Sequence, residues 1–277
     1  MFSAMASEST GTYAKVAPSA YRLASRLGLQ SRQPDPVVRH VELAIGLDRR
    51  FALIADIHAD LEFMPARAVE RIVDLAGEHG PFDAVLVPGD FAGHDPAALA
   101  GPARALGRFE APVFFTNGNH DHMLGAGRVA LALRNNGVTV LDNEAVPLED
   151  SPGAPWIAGI DSMAGNPDPD RALAEIPAAA PVVVVGHEPK LATMHDEVLH
   201  VAGHTHHGQV RVPGAPPILR PRHSQPYPAG LYMEETGERI RPGSTHRTRW
   251  IYTTAGVGTT TFPLRVSCPP EIVVIDT

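Results

Sequence analysis

Five apolar runs in this chain stop abruptly at a short cluster of Gly, Asp, His or Asn. Phe51 to Ala55 runs into Asp56, Ala84 to Pro88 into Gly89-Asp90, and Val113 to Thr116 into Asn117-Gly118-Asn119-His120-Asp121. Val182 to Val185 runs into Gly186-His187, and Val198 to Ala202 into Gly203-His204. Short, continuous apolar runs of this kind read as buried strands. Helical spacing between several of them points to an α/β fold. In such sheets functional groups gather at the carboxyl ends of strands, and strand ends are rigid enough to hold a site to tight tolerance.

The rest of the chain fits this frame. Helices are predicted over 63–78, 97–109 and 129–135, and further strands over 37–45, 138–141, 156–160, 250–254 and 271–275. Val69, Ile72, Val73 and Ala76 fall at helical spacing. The stretch 208–249 is rich in Gly and Pro and shows no periodicity. There is no internal repeat and no linker-like boundary, so the reading is a peripheral arm over 1–36 followed by one domain over 37–277.

Composition removes several function classes. The net charge of -8 argues against a stable nucleic-acid partner, which usually demands a basic surplus. One cysteine, Cys268, rules out an intrachain disulfide and a thiolate zinc site, and reads as a small buried filler. No run is long enough to span a bilayer, and 1–30 lacks the apolar core of a signal peptide. The expected location is therefore the cytoplasm. Tyr21 to Leu27 forms a short basic amphipathic stretch that permits peripheral contact with a membrane.

The 14 histidines are the oddity. Several sit in the strand-end clusters beside carboxylates and one amide, a donor set suited to hard or borderline divalent metals. Asp56 and His58 are i and i+2, which on an extended segment point to one side and can grip one ion. His204 and His206 repeat the spacing, with imidazoles that can serve one ion or two neighbouring ones. Asp90 has two oxygens and can bridge. Each piece alone is commonplace; the ordered set, each member following a strand, is not. His94 and His122 lie near these clusters as outer-shell candidates, whereas His40, His79, His195, His200, His223 and His246 read as surface or packing residues.

The ordered set Asp56-x-His58, Gly89-Asp90, Gly118-Asn119-His120-Asp121, Gly186-His187 and Gly203-His204-x-His206 resembles the calcineurin-like metallophosphoesterase superfamily. Gly203-His204-Thr205-His206-His207-Gly208-Gln209, Gly230-Leu231-Tyr232, Thr254-Ala255-Gly256-Val257-Gly258 and Pro263-Leu264-Arg265 are similar to its YkuE/YaeI-like bacterial phosphodiesterase branch. His207 departs from that branch, which usually has glycine there. It reads either as an extra group facing the site or as a solvent-facing substitution.

The resemblance implies an α/β fold in which two mixed β-sheets pack as a sandwich flanked by α-helices, with metals at one edge. It implies a first metal held by Asp56, His58, Asp90 and His206, and a second by Asp90, Asn119, His187 and His204. His120 would face the substrate phosphate, and Asp121 would orient it. The implied cofactors are two divalent or trivalent transition metal ions: manganese, iron, zinc or cobalt. The implied reaction is hydrolysis of a small-molecule or lipid-linked phosphoester, foremost a phosphodiester, by a metal-bridging hydroxide. A nucleotide- or lipid-linked pyrophosphatase is the enzymatic alternative, and a metal-free protein-binding scaffold the non-enzymatic one. Arg211, Arg220, Arg222, Arg239, Arg241, Arg247, Arg249 and Arg265 crowd the C-terminal part and read either as a positive wall for an anion or as scattered solvated side chains.

Overall fold

A computed structural model describes residues 35–212, 217, 220–261 and 263–277. The amphipathic stretch Tyr21 to Leu27 lies outside the described residues. In chain order come β1 (Val37–Glu42), β2 (Arg50–Leu53), α1 (Ala66–Gly77), β3 (Ala84–Pro88), α2 (Ala100–Leu106), β4 (Val113–Thr116), α3 (Asn119–Leu124), α4 (Ala126–Arg134) and β5 (Thr139–Val140). They are followed by β6 (Glu144–Pro147), β7 (Trp156–Ile160), α5 (Pro169–Leu173), β8 (Val182–Gly186), β9 (Leu199–Ala202), β10 (Gly230–Glu235), β11 (Thr248–Thr253) and β12 (Glu271–Asp276).

The strands form two six-stranded mixed sheets, in the orders β1-β12-β2-β3-β4-β5 and β10-β11-β9-β8-β7-β6. Alternation along the strands sorts side chains between two cores. Phe51, Leu53, Leu86 and Phe114 pack against Ile157, Val183, Val185, Leu199 and Val201, which fills the space between the sheets. Ala52, Val85, Val87 and Phe115 face the other way and meet Val69, Ile72, Val73 and Ala76 of α1. A strand covered on both faces must be apolar at every position, which is why β3 reads as an unbroken apolar run. Truncating a fully buried side chain such as Leu86 to Ala should cost about 2–5 kcal/mol.

Several boundaries differ from the sequence expectation, with local causes. The first helix begins at Ala66 because Pro65 disfavours the helical region for Met64. The stretch expected as one helix over 97–109 divides into a short 3-10 turn, Pro96–Ala98, and α2, which ends at Gly107. The strand β10 lies at a sheet edge, alternates between half-buried and exposed positions, and carries no apolar run, so composition concealed it. Edge strand β6 was hidden for the same reason.

The topology places the site. β2, β3 and β4 are parallel neighbours, as are β8 and β9, so their carboxyl ends lie along common edges. The two sheets stack, and the loops after these five strands meet.

Candidate metal centre

Each cluster residue arrives on a turn that follows a strand directly. The Asp56 and Asp90 loops are tied to each other: His58 N donates to Asp90 O at 2.9 Å and Asp56 N to Gly89 O at 3.2 Å. Asp56 accepts the His204 amide on both carboxylate oxygens, at 2.9 and 3.1 Å, which binds β9's loop to β2's. Close approach requires glycine at Gly118, where an added Cβ would strike the Asp90 carboxylate and amide.

The backbone here is unusual. Asp56, His58, Asp90, His204 and His206 all adopt positive φ, between 47° and 70°. For a residue with a side chain this region costs roughly 1–2 kcal/mol each. Such strain collects at functional sites, where the surrounding structure holds it in place. It also corrects the expectation that Asp56 and His58 converge because they share one side of an extended segment. They converge through two left-handed turns, with buried Ile57 between them.

Two groups of donors result, and a third joins them. Asp56, His58 and His206 offer atoms within 4.8 Å of one another, as do Asp90, His187 and His204, and His58, Asp90 and His120. In the first, His58 Nε2 and His206 Nε2 lie 3.1 Å apart, with Asp56 Oδ1 at 3.7 Å from His206. In the second, His187 Nε2 lies 3.1 Å from His204 Nδ1, 3.2 Å from Asn119 Oδ1 and 3.3 Å from Asp90 Oδ2. Asp90 Oδ2 is also 3.5 Å from His58 Nε2, so it reaches both groups. Among the described residues, His204 and His206 therefore divide between the two groups.

The tautomers explain what this arrangement lacks. His187 Nδ1–H donates to Pro88 O at 2.9 Å, and His204 Nε2–H donates to Arg222 O at 2.7 Å. His204 is held neutral, so its Nδ1 is bare. Burial works against a charge on His187, but Asp90 raises its pKa well above the ordinary value, so its Nε2–H is the one proton that His204 Nδ1, Asn119 Oδ1 and the Asp90 carboxylate face. Acceptors crowd in this way around a cation, and backbone-anchored histidines are the usual supports of metal ligands. The residues present thus fit a bound metal cation.

The electrostatics agree. Burial, reinforced by Asp90, pushes the Asp56 carboxyl up to about 7, because no positive charge in the chain offsets it fully. Burial opposes ionisation of Asp90 too, yet the charges of His187 and His120 hold it well below the usual range. Burial and then His187 lower His204 to about 4. The pocket calls for added positive charge, which a bound cation supplies.

His120 and Asp121 open α3. The His120 ring stands edge-on to His58 at 4.6 Å, and its amide donates to Asp90 Oδ1 at 2.8 Å. Asp121 differs from its expected role. Its carboxylate accepts from Ala92 N at 2.8 Å and Gly118 N at 2.7 Å, so it fastens two ligand loops instead of holding the His120 ring. His120 Nδ1 is buried with no hydrogen-bond partner among the described residues.

Other expectations resolve locally. His122 pairs with Asp161 at 2.6 Å, and His94 stands 5.5 Å from the His120 ring. His207 is not solvent-facing: its Nε2–H donates to Thr253 O at 2.7 Å. His195 and His200 form a buried pair, while His40 and His223 are exposed and His79 is half-buried. Cys268 is buried, with its thiol on His206 O. The arginine-rich stretch is not a continuous positive wall. Arg241 pairs with Glu197, Arg249 is buried against Asp196 and Glu234, and Arg265 turns inward onto the carbonyls of Ala255 and Gly256. Sequence reasoning did not single out Thr260 or Asp161, which sit in loops without a recognisable residue pattern. Gln209 lay in plain view in the motif after His206 but was given no role.

A family model described as Calcineurin-like phosphoesterase matches residues 49–208. The chain is 31% identical over 238 residues to Phosphodiesterase YaeI of Escherichia coli (strain K12), covering 82% of this chain and 81% of that protein. It is 34% identical over 163 residues to a protein named Uncharacterized metallophosphoesterase YkuE of Bacillus subtilis (strain 168), covering 57% of this chain. That match spans 53% of YkuE, about half of its length. Among solved structures, a 5'-nucleotidase precursor from Thermus thermophilus aligns with a TM-score of 0.48 at 14% identity, over 82% of this chain and 54% of that one.

Proposed function

The chain belongs to the calcineurin-like phosphoesterase family, and from that premise we propose that it is a dinuclear metal-dependent phosphodiesterase. The observation that carries this reading is the convergence of ring nitrogens of His187 and His204 with side-chain oxygens of Asn119 and Asp90 at one place. Asp56, His58, Asp90 and His206 would hold one ion, and Asp90, Asn119, His187 and His204 the other. Cations held there would neutralise phosphoryl oxygens and make water available as a nucleophile near neutral pH.

The chain's own residues do the remaining work. Asp90 spans both groups through Oδ2, while its Oδ1 anchors the His120 amide. Pro88 O and Arg222 O anchor the His187 and His204 rings so that Nε2 of one and Nδ1 of the other face the remaining donors. His120 stands beside the first group and holds a proton for the departing alcohol oxygen, a contribution typically worth about 10²–10⁴-fold. The substrate is a small-molecule or lipid-linked phosphoester, with no stable nucleic-acid partner, in keeping with the chain's net charge of -8. Among the described residues no helix is long and apolar enough to cross a membrane.

The test combines elemental analysis of the purified chain with turnover of bis-p-nitrophenyl phosphate, using Asp90→Asn as control. The reading expects about two metals per chain and turnover in the parent, with both lost in the variant. A chain that neither retains metal nor turns over the diester after addition of manganese, iron, zinc or cobalt would instead be a scaffold. A variant as active as the parent would assign the activity to another site.

A further inference from the structure

Gln209 belongs to the motif that carries His204 and His206, and its side chain is bonded to Thr260. It is fully buried. Its Oε1 accepts from Thr260 N at 2.9 Å, and its Nε2 donates to Thr260 O at 2.9 Å. A primary amide that grips both main-chain groups of one residue does what a neighbouring strand would do, and leaves that residue no freedom to slide. The backbone of Gln209 is fastened as well: its N–H donates to His206 O at 2.8 Å and its carbonyl accepts from Val266 N at 3.0 Å. Gln209 therefore links the turn bearing His206 to the loop after β11.

That loop lies across the strand end bearing Asp56. Val257 N donates to Ala55 O at 2.9 Å and Gly258 N to Asp56 O at 2.8 Å. A Cβ at Gly258 would strike the carbonyls of Asp56 and Ile57. With its path fixed at 257–258 by the floor of the site and at 260 by Gln209, the loop delivers one hydroxyl to the site. Thr260 Oγ1 lies 3.5 Å from His120 Nε2. This is at the outer limit of a hydrogen bond, and contacts of this kind tighten when an active site is engaged.

We propose that Thr260 is a positioning residue for His120, set in place by the Gln209 amide. This role rests on the reading of His120 as proton donor. The ring needs such a contact. Its Nδ1 has no partner among the described residues, and the Asp121 carboxylate, the nearest acidic candidate in sequence, is spent on backbone amides. A threonine hydroxyl both donates and accepts, so it can hold Nε2 in either tautomer of the ring. It fixes the plane of the imidazole, and hence where the proton stands relative to the departing oxygen.

The test has two arms, both on the full chain loaded with zinc, which is diamagnetic. In nitrogen-15 spectra of the histidine rings, with His120→Asn used to identify the resonances, Thr260→Val and Gln209→Leu should each displace the His120 Nε2 signal, and Thr260→Ser should return it. In turnover, Thr260→Val should lower kcat about tenfold on diphenyl phosphate but less than about twofold on bis-p-nitrophenyl phosphate, whose leaving group needs less proton assistance, with KM unchanged and metal content retained. An unmoved Nε2 signal in Thr260→Val would overturn the proposal, as would equal losses on the two esters or failure of Thr260→Ser to restore the parent's preference. A parent inactive on both esters would defeat the hydrolase reading, while the nitrogen spectra would still decide the Thr260 contact.

Discussion

Single substitutions separate holding the metal from handling the proton. Asp90 contributes to both donor groups and also anchors His120 through its amide. Asp90→Asn should therefore lose metal and activity together, whereas His120→Asn should keep its metal and lose about 10²–10⁴-fold in kcat. Metal content measured beside turnover distinguishes them; equal metal loss in both variants would contradict the assignment of His120. His207 is a different case, with φ of 49° and a 2.7 Å bond to Thr253 O. His207→Gly relieves roughly 1–2 kcal/mol of left-handed strain and gives up a bond worth about 0.5–1.5 kcal/mol. Those terms nearly cancel, so its urea midpoint should stay close to the parent's. His207→Ala loses the bond and keeps the strain, and should be less stable than His207→Gly by about 1 kcal/mol.

At the scale of elements, β9 carries site residues at its end and a buried histidine within it. His200 is buried, with His195 Nε2 at 3.0 Å from its Nδ1. Burial, and then Arg249, lowers His195 to about 3; burial, then His195, lowers His200 well below its ordinary value. Both are neutral in the folded chain and titrate near about 6.5 when unfolded. A group with a depressed histidine pKa gives its full stability above the unfolded value and loses it as pH falls below. Stability should thus decline below about pH 6.5, by about 1.4 kcal/mol per such histidine at pH 5.5. Urea midpoints at pH 7.5 and 5.5 check this, and His195→Gln should show a smaller drop than the parent; an equal drop would contradict it.

The central strands of both sheets were legible in the sequence because burial on both faces makes them unbroken apolar runs. The edges were not, since no residue of β6 or β10 is fully buried. The donor residues were legible because each follows such a run. Their geometry was not, because an alternation rule assumes extended backbone, whereas Asp56 and His58 sit at φ of 53° and 48°. The role of Asp121 could not be read either: its partners, Ala92 and Gly118, belong to loops whose approach only the tertiary structure sets.

On the scale of the whole molecule, the site is also a fastening. Loops after β2, β3, β4, β8 and β9 meet there, drawn from both sheets, and a bound cation would tie them together. Metal binding to the folded chain alone should raise stability by mass action. A chelator should therefore lower the thermal midpoint by several degrees, and added manganese or zinc should restore it. An unchanged midpoint would mean that the loops hold their places without ions.

Anomalous diffraction from crystals of the metal-loaded chain would interrogate the dinuclear centre itself. Two peaks are expected about 3.5–4 Å apart, one among Asp56, His58 and His206, the other among Asn119, His187 and His204, with Asp90 reaching both. A single peak, or peaks outside this pocket, would contradict the dinuclear assignment.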